Sequence, residues 1–264
     1  MSGPEASGAV YAKVHDQVAS IVISNPARRN ALSVSMMAEL GQALRRIDAD
    51  PEVAVAVVRG EGETFVSGAD ISEFGAQQDS AEARQQAGEA MAVMFGALGD
   101  LSKPLIAMIQ GYCIGGGMAV ALGADIRIAA AGSRFAIPAA RLGVGYPLPE
   151  VHLLVSAVGP ARAAEILFTG SQFSADQALA AGLINRVVSP GDLEPVVTEL
   201  ARRLADNAPL SIRAAKAAIR ASVIGTPDRR ATAEKHISVC ADSADAREGQ
   251  RAFLEKRSPR FTGA

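Results

Sequence analysis

Between Pro104 and Ala124 the chain carries no charged residue. A run of that length could span a bilayer, or it could build a strand and a helix at the centre of a globular fold. Its internal pattern favours the second. Pro104-Leu105-Ile106-Ala107-Met108-Ile109 is continuously apolar, as in a strand covered on both faces. Gln110 and glycines then interrupt the run, and Met118-Ala119-Val120-Ala121-Leu122 reads as a short buried helix. Gly115, Gly116 and Gly117 stand at the junction, where the absence of a Cβ lets another chain or a ligand approach the backbone. A helix opening there presents first-turn N–H groups without intrahelical partners and a partial positive charge, a place suited to an anion or a polarised carbonyl. Three glycines also serve the close packing of a helix on a sheet, so this run alone leaves both roles open.

A second segment adds weight to the first role. Thr64-Phe65-Val66-Ser67-Gly68-Ala69-Asp70-Ile71 reads as a strand end, a glycine turn and an aspartate placed to cap another helix. Two strand-to-helix turns of this kind could aim two N–H donors at one carbonyl. Around them, Val18–Ser24 and Val53–Val58 read as strands, the second apolar enough to be central. Ser33 is placed to cap a helix in which Met36, Leu40, Leu44 and Ile47 recur at helical spacing up to Asp50-Pro51. Phe74 to Ser80 reads as a polar loop near the mouth of the site, before an amphipathic helix through Met91, Phe95 and Leu98. Asp125–Ala130, Arg134–Ile137 and Leu183–Val188 read as further strands, and from Pro149 the chain is mostly helical, with Ser174 as a cap and Gly182 as a stop.

Charge and length narrow the function classes. A formal net charge of −2 over 264 residues lacks the basic excess of a nucleic-acid binder. No charged n-region and apolar h-region open the chain, and Met1 to Ala9 reads as a loose start, so the expected setting is cytoplasmic and not membrane-bound. Cys113 and Cys240 form no metal or redox spacing, and Cys113 reads as a small buried residue. His15, His152 and His236 stand apart, so no metal site is expected. The glycine triplet has neither the Lys-Ser/Thr of a phosphate loop nor the spacing of a dinucleotide fingerprint, and no nucleophile elbow appears.

Several linked motifs carry a family resemblance. Asn25-Pro26-Ala27-Arg28-Arg29-Asn30-Ala31-Leu32, Ser67-Gly68-Ala69-Asp70-Ile71, the Gly111 to Gly117 run, Gly123-Ala124-Asp125-Ile126-Arg127-Ile128-Ala129 and the tail Glu248 to Arg257 resemble, in order and spacing, the enoyl-CoA hydratase/isomerase (crotonase) superfamily. The resemblance implies an α/β fold, a spiral of ββα units (residues 1–192) followed by a helical oligomerisation region (residues 193–264) that builds a homotrimer or a dimer of trimers. It implies an acyl-CoA thioester as substrate, with coenzyme A part of that substrate and no separate cofactor. The amides of Ala69 and Gly116 would hold the thioester oxygen as enolate charge develops. Substrate contacts would come from Arg28, Arg29, Ala31, Ser67, Ala69, Asp70, Ile71, Ile114, Gly115, Gly116, Pro138 and Leu142, with Lys256 and Phe261 closing over the nucleotide from a neighbouring subunit. Simple solvation of the two arginines, and a purely structural Asp70 or Asp125, remain open beside these roles.

The chain departs from the family where acid/base chemistry is carried. Hydratases of the superfamily have a glutamate two residues after the glycine triplet and another after the proline near residue 138; here those positions are Ala119 and Ala139. Hydration needs a base for water and an acid for the α-carbon, and alanine supplies neither. Around Tyr146 the chain resembles methylmalonyl-CoA decarboxylases of the superfamily, although those have a histidine at the position of Ala69. Glu150 is the one carboxylate close in sequence to this loop; it either replaces a missing group or merely favours the helix dipole at Pro149. Three readings follow. They are a lyase (decarboxylase-like) or isomerase using Tyr146 or Glu150 beside the amides of Ala69 and Gly116, an enoyl-CoA hydratase relying on Glu150 or another group, and an acyl-CoA-binding oligomer without catalysis.

Overall fold

The computed structural model describes residues 8–70, 73, 80–223 and 225–264. Six strands lie side by side in the main sheet, in the order β1 (Ala9–His15), β2 (Val18–Ser24), β3 (Val55–Gly60), β4 (Leu105–Ile109), β6 (Ile126–Ala130) and β9 (Arg186–Val188). β1 is antiparallel to β2, and the remaining neighbours are parallel. A smaller sheet joins β5 (Tyr112–Ile114), β7 (Arg134–Ala136) and β8 (Phe173–Ser174). The apolar runs of β3 and β4 are central because both faces are covered. Ala56, Val58, Leu105, Ala107 and Ile109 point into the main core, whereas Val55, Val57 and Ile106 point into a second core on the opposite face.

Helices α1 (Val34–Ala49) and α2 (Ala81–Asp100) pack on each other against the main core. Ser33 caps α1 by accepting a hydrogen bond from Met36 N–H (3.2 Å), and the buried face is the one formed by Met36, Leu40, Leu44 and Ile47. Ser80 caps α2 in the same way through Ala83 N–H. The face that α2 buries is rotated from the expected one: Ala90, Met94, Ala97 and Leu98 are buried, with Met91 and Phe95 only partly so. Residues 74–79 of the expected loop lie outside the described residues. Of the expected loose start, residues 1–7 lie outside the described residues, and Ala9 opens β1.

The short helix α3 (Gly116–Gly123) follows β5, and α4 (Ala139–Leu142) follows β7. Next comes α5 (Leu148–Thr169), long and apolar enough by length and composition to cross a membrane. It is broken at Gly159-Pro160, and it buries Glu150, Leu154, Ala163 and Ile166. A capping box at Ser174 and Gln177 starts α6 (Ala175–Ala180). The region from residue 193 comprises α7 (Leu193–Ala205), α8 (Pro209–Val223), α9 (Pro227–Ala241) and α10 (Ala244–Glu255). Its first helix closes the outer face of the sheet. Leu193, Val197 and Ala201 of α7 pack with Val55, Val57, Ile106, Ile128 and Ala130, so a boundary drawn at residue 193 runs along the second core. Phe253 and Leu254 of α10 are 84% and 80% exposed.

Candidate functional site

Two isolated parallel bridges bring the glycine turns together. Val66 N–H donates to Tyr112 C=O (2.9 Å) and Ile114 N–H to Val66 C=O (3.0 Å). One step on, Leu32 N–H donates to Gly68 C=O (2.9 Å) and Asp70 N–H to Leu32 C=O (2.8 Å). A parallel bridge of this kind uses the groups flanking Ala69, and the N–H of Ala69 itself faces away from Leu32. Gly115, at φ +50°, donates to Ala136 C=O (2.9 Å) and turns the chain into α3, leaving Gly116 as its first residue. Neither Ala69 N–H nor Gly116 N–H has an acceptor among the described backbone hydrogen bonds.

The three glycines have separate jobs. A Cβ on Gly117 would lie 2.4 Å from Val66 C=O, so α3 rests against the strand end only because that side chain is missing. Gly116 is different: a Cβ there would meet nothing closer than Ala69 N at 3.5 Å. The two amides therefore flank one small space, bordered also by Gly68 and Leu32, while Pro138 lies near Gly115. Close packing belongs to Gly117, and an open space beside Ala69 N belongs to Gly116.

The segment expected to meet the nucleotide gathers beside this space. Arg28 Nη1 pairs with Asp70 Oδ1 at 2.8 Å, and Ser67 bonds back to the loop through its N–H to Arg29 C=O and its hydroxyl to Arg28 C=O. Arg29, exposed and at φ +51°, places its guanidinium 5.7 Å from the centre of the Tyr112 ring. Asn30 is the staple of the loop: its amide donates to Glu61 C=O (2.9 Å) and Thr64 C=O (2.7 Å), and its Oδ1 accepts from Asn25 N–H (2.9 Å). Ala31 follows Asn30 in the chain and Ile114 precedes Gly115, whereas Leu142 is exposed at the end of α4. Ile71 lies outside the described residues, and with it the helix that Asp70 was expected to cap. Lys256 and Phe261 lie at the C-terminal end; the Phe261 ring would lie 3.6 Å from a Cβ on Gly249.

On the other side of α3 the acid/base candidates meet. Glu150 is 2% exposed, and its Oε2 has no hydrogen-bond partner among the described residues; burial holds its carboxyl above the usual range. The Tyr146 hydroxyl is likewise buried and without a partner. Burial, then the nearby Glu150 carboxylate, push that phenol up. Buried polar groups are normally paired, and among the described residues the Tyr146 hydroxyl and Glu150 Oε2 are exceptions. Glu150 lines a cleft of about 310 Å³ together with Ala119, which is 3% exposed. The Glu150 carboxyl and the methyl group at Ala119, where the resemblance led to the expectation of a glutamate in hydratases, thus line one cleft. Ala139, 8% exposed, brings no polar group from the other side. Cys113 is fully buried and its thiol is pushed up by desolvation, which fits a packing residue.

Asp125 is a structural anion. Its Oδ2 accepts from Leu105 N–H and from Lys216 Nζ, each at 2.7 Å. Lys216, buried and lowered to about 8 by desolvation against the pull of Asp125, also donates to Lys103 C=O. No spacing in the chain announces this pair, nor the bonds of Arg220 on α8 to Leu98, Gly99 and Leu101 C=O at the end of α2. Residues so far apart in the chain carry no shared spacing from which to infer contact.

The profile of the enoyl-CoA hydratase/isomerase family matches residues 13–264. Among curated proteins, the chain is 34% identical to a crotonyl-CoA hydratase of Syntrophomonas wolfei, over 93% of this chain and 95% of that one. It is 36% identical to a carnitinyl-CoA dehydratase of Citrobacter koseri, over 94% and 96%. Among solved structures, a putative enoyl-CoA hydratase/isomerase family protein from Hyphomonas neptunium superposes with a TM-score of 0.90 at 36% identity, over 97% of this chain and 98% of that one. An enoyl-CoA hydratase/carnithine racemase from Magnetospirillum magneticum gives 0.89 at 33% identity, over 98% and 97%.

Proposed function

The chain belongs to the enoyl-CoA hydratase/isomerase family and processes acyl-CoA thioesters, and from that premise we propose that it shifts a double bond with one carboxyl group, Glu150. The thioester oxygen sits between the amides of Ala69 and Gly116, which carry the enolate charge. The Glu150 carboxylate takes a proton from the α-carbon of a β,γ-enoyl thioester. The electrons pass through the double bond and the carbonyl to give a dienolate, and the new carboxylic acid returns the proton at the γ-carbon. The product is the conjugated α,β-enoyl thioester. One group that gives back the proton it takes suffices for this reaction, whereas addition of water needs two groups placed about a water molecule.

The observation that carries this reading is the burial of Glu150, whose Oε2 has no hydrogen-bond partner among the described residues, in the cleft that Ala119 also lines. A raised carboxyl is matched to proton transfer near neutral pH. A second reading, decarboxylation of a malonyl-type thioester, is supported by the partnerless Tyr146 hydroxyl, which could hold a departing carboxylate out of the thioester plane. The hydratase and dehydratase named among the relatives catalyse reactions that this chain would have to perform with Glu150 and another group. The exposed Phe253 and Leu254 on α10 support assembly into a homotrimer or a dimer of trimers, working in the cytoplasm with coenzyme A as part of the substrate.

Conversion of a 3-enoyl-CoA to its conjugated isomer, followed by the rise in enoyl-thioester absorbance, tests the reading. Glu150→Gln is expected to lower that rate by about 10²-fold or more. A wild-type protein that leaves the β,γ-isomer untouched, or a Glu150→Gln variant as fast as the wild type, rules the reading out. Carbon dioxide release from methylmalonyl-CoA, lost on Tyr146→Phe, would put decarboxylation in its place.

A further inference from the structure

The cleft that Glu150 shares with Ala119 has a direction. Along α3 it is lined at residues 119, 122 and 123, one face of the helix, beginning one turn in from Gly116. Glu150, Leu153 and Ala157 of α5 supply a second wall with the same periodicity. The cleft follows the helix to Gly123, roughly 6 Å beyond Ala119 at helical rise, and continues to Asp125. There α8 and α9 supply Ile219, Arg220 and Arg229. Leu98 ties that end to the rest: it packs on Gly123, and its carbonyl accepts from Arg220. An acyl chain whose thioester lay at Gly116, one turn before the lined stretch, would have this flank open to it and the arginines at its end.

The charges at that end do not cancel. Asp125 is matched by Lys216 at 2.7 Å. Arg127 gives its guanidinium to Ala121, Ala124 and Leu183 C=O, and Arg220 to Leu98, Gly99 and Leu101 C=O. Those are neutral acceptors, so both positive charges persist. Arg229 has less still: half-buried and near enough to Arg220 for the two to repel, its guanidinium has no acceptor among the described residues. It also borders a second cleft of about 200 Å³ in which Arg213, Lys216 and Arg220 stand with it against one carboxylate, Asp100. A guanidinium held beside another cation lowers its energy when a planar anion arrives to take two of its N–H groups.

We propose that the acyl group this protein accepts ends in a carboxylate, and that Arg229 is its counter-ion at the far end of the cleft. The substrates are then thioesters of dicarboxylic acids, bound by the sulfur end at Gly116 and by the free carboxylate at Arg229. The inference rests on the acyl-CoA reading given above and specifies its substrate class. It explains why the middle of the cleft is apolar, with Leu98, Leu122, Leu153 and Ile219, while its end is not.

Calorimetric binding of saturated thioesters tests it without requiring turnover. Adipyl-, pimelyl- and suberyl-CoA are compared with the straight-chain monoacyl-CoA esters of equal length, on the wild type and on Arg229→Met and Arg229→Lys. The wild type is expected to prefer at least one dicarboxylic thioester by about tenfold, the ratio that one modest charge-assisted pair supplies. That ratio is expected to fall toward one in Arg229→Met and to survive in part in Arg229→Lys. Equal affinity for the two series in the wild type overturns the inference whether or not the variants fold, as does a preference that persists in Arg229→Met. If 3-enoyl-CoA esters without a second carboxylate turn over well and no carboxylate preference exists, the isomerase reading stands and this one falls. If the preference exists and no double bond moves, the reverse holds.

Discussion

Two adjacent glycines make opposite predictions from one geometry. Alanine at 117 would place its Cβ 2.4 Å from Val66 C=O, about 1 Å inside the 3.4 Å at which ordinary contact begins, against backbone that is itself fixed by bonds to Tyr112 and Ile114. Relief requires α3 to slide off the strand end, and overpacking of this size costs about 1–3 kcal/mol. Alanine at 116 meets its nearest neighbour at 3.5 Å and replaces a helical glycine whose φ is not positive, so the fold is expected to keep its stability or to gain up to about 0.5–1 kcal/mol. That methyl group would nonetheless stand in the space beside Ala69 N, where the thioester oxygen is proposed to sit. Loss of one oxyanion donor typically lowers turnover by about 10²- to 10³-fold. Thermal denaturation and the enoyl isomerisation assay, run on Gly116→Ala and Gly117→Ala, should therefore separate. The midpoint falls only for the second, at about 2–4 °C per kcal/mol, and turnover collapses in the first with the fold intact. A stable Gly116→Ala protein with wild-type turnover would refute the placement of the reacting carbonyl. A Gly117→Ala protein with an unchanged midpoint would refute the argument from close approach.

Glu150→Gln should also raise stability at neutral pH. The Glu150 carboxyl is raised by burial, so the folded chain holds that proton more tightly than the unfolded one. Stability from this group is complete below the ordinary carboxyl value of about 4.3 and is lost as pH climbs through the raised value. The variant's denaturation midpoint is expected above the wild type's at pH 7, with the gap closing by about pH 4; a constant gap over that range would contradict the sign. Val197→Ala removes two methyl groups at a 2% exposed site on α7 and is expected to cost about 2 kcal/mol in urea denaturation. A loss under about 0.5 kcal/mol would mean that α7 is peripheral to the sheet.

Local chemistry made much of the chain legible. Ser33 and Ser174 announce helix starts because a side-chain oxygen must satisfy first-turn amides, and both caps are present. The continuous apolar runs of β3 and β4 announce strands covered on two faces, and each face has its own core. β1 was missed because it is an exposed edge strand, reached through Asp16 and Gln17 at positive φ without a glycine to mark the turn. The short strand β5 hid among the glycines, since three residues are too few to show an alternation.

By itself the sequence determined the family, the paired glycine turns and the absence of carboxylates at 119 and 139, because each is a property of a residue and its near neighbours. Only the tertiary structure decided that Glu150 and Ala119 line one cleft, with Glu150 Oε2 lacking a partner among the described residues, that Lys216 answers Asp125, and that Arg229 lines the same cleft. Those facts depend on helices far apart in the chain meeting at one place. The energy of a buried charge is set by whatever the fold brings within a few ångströms of it.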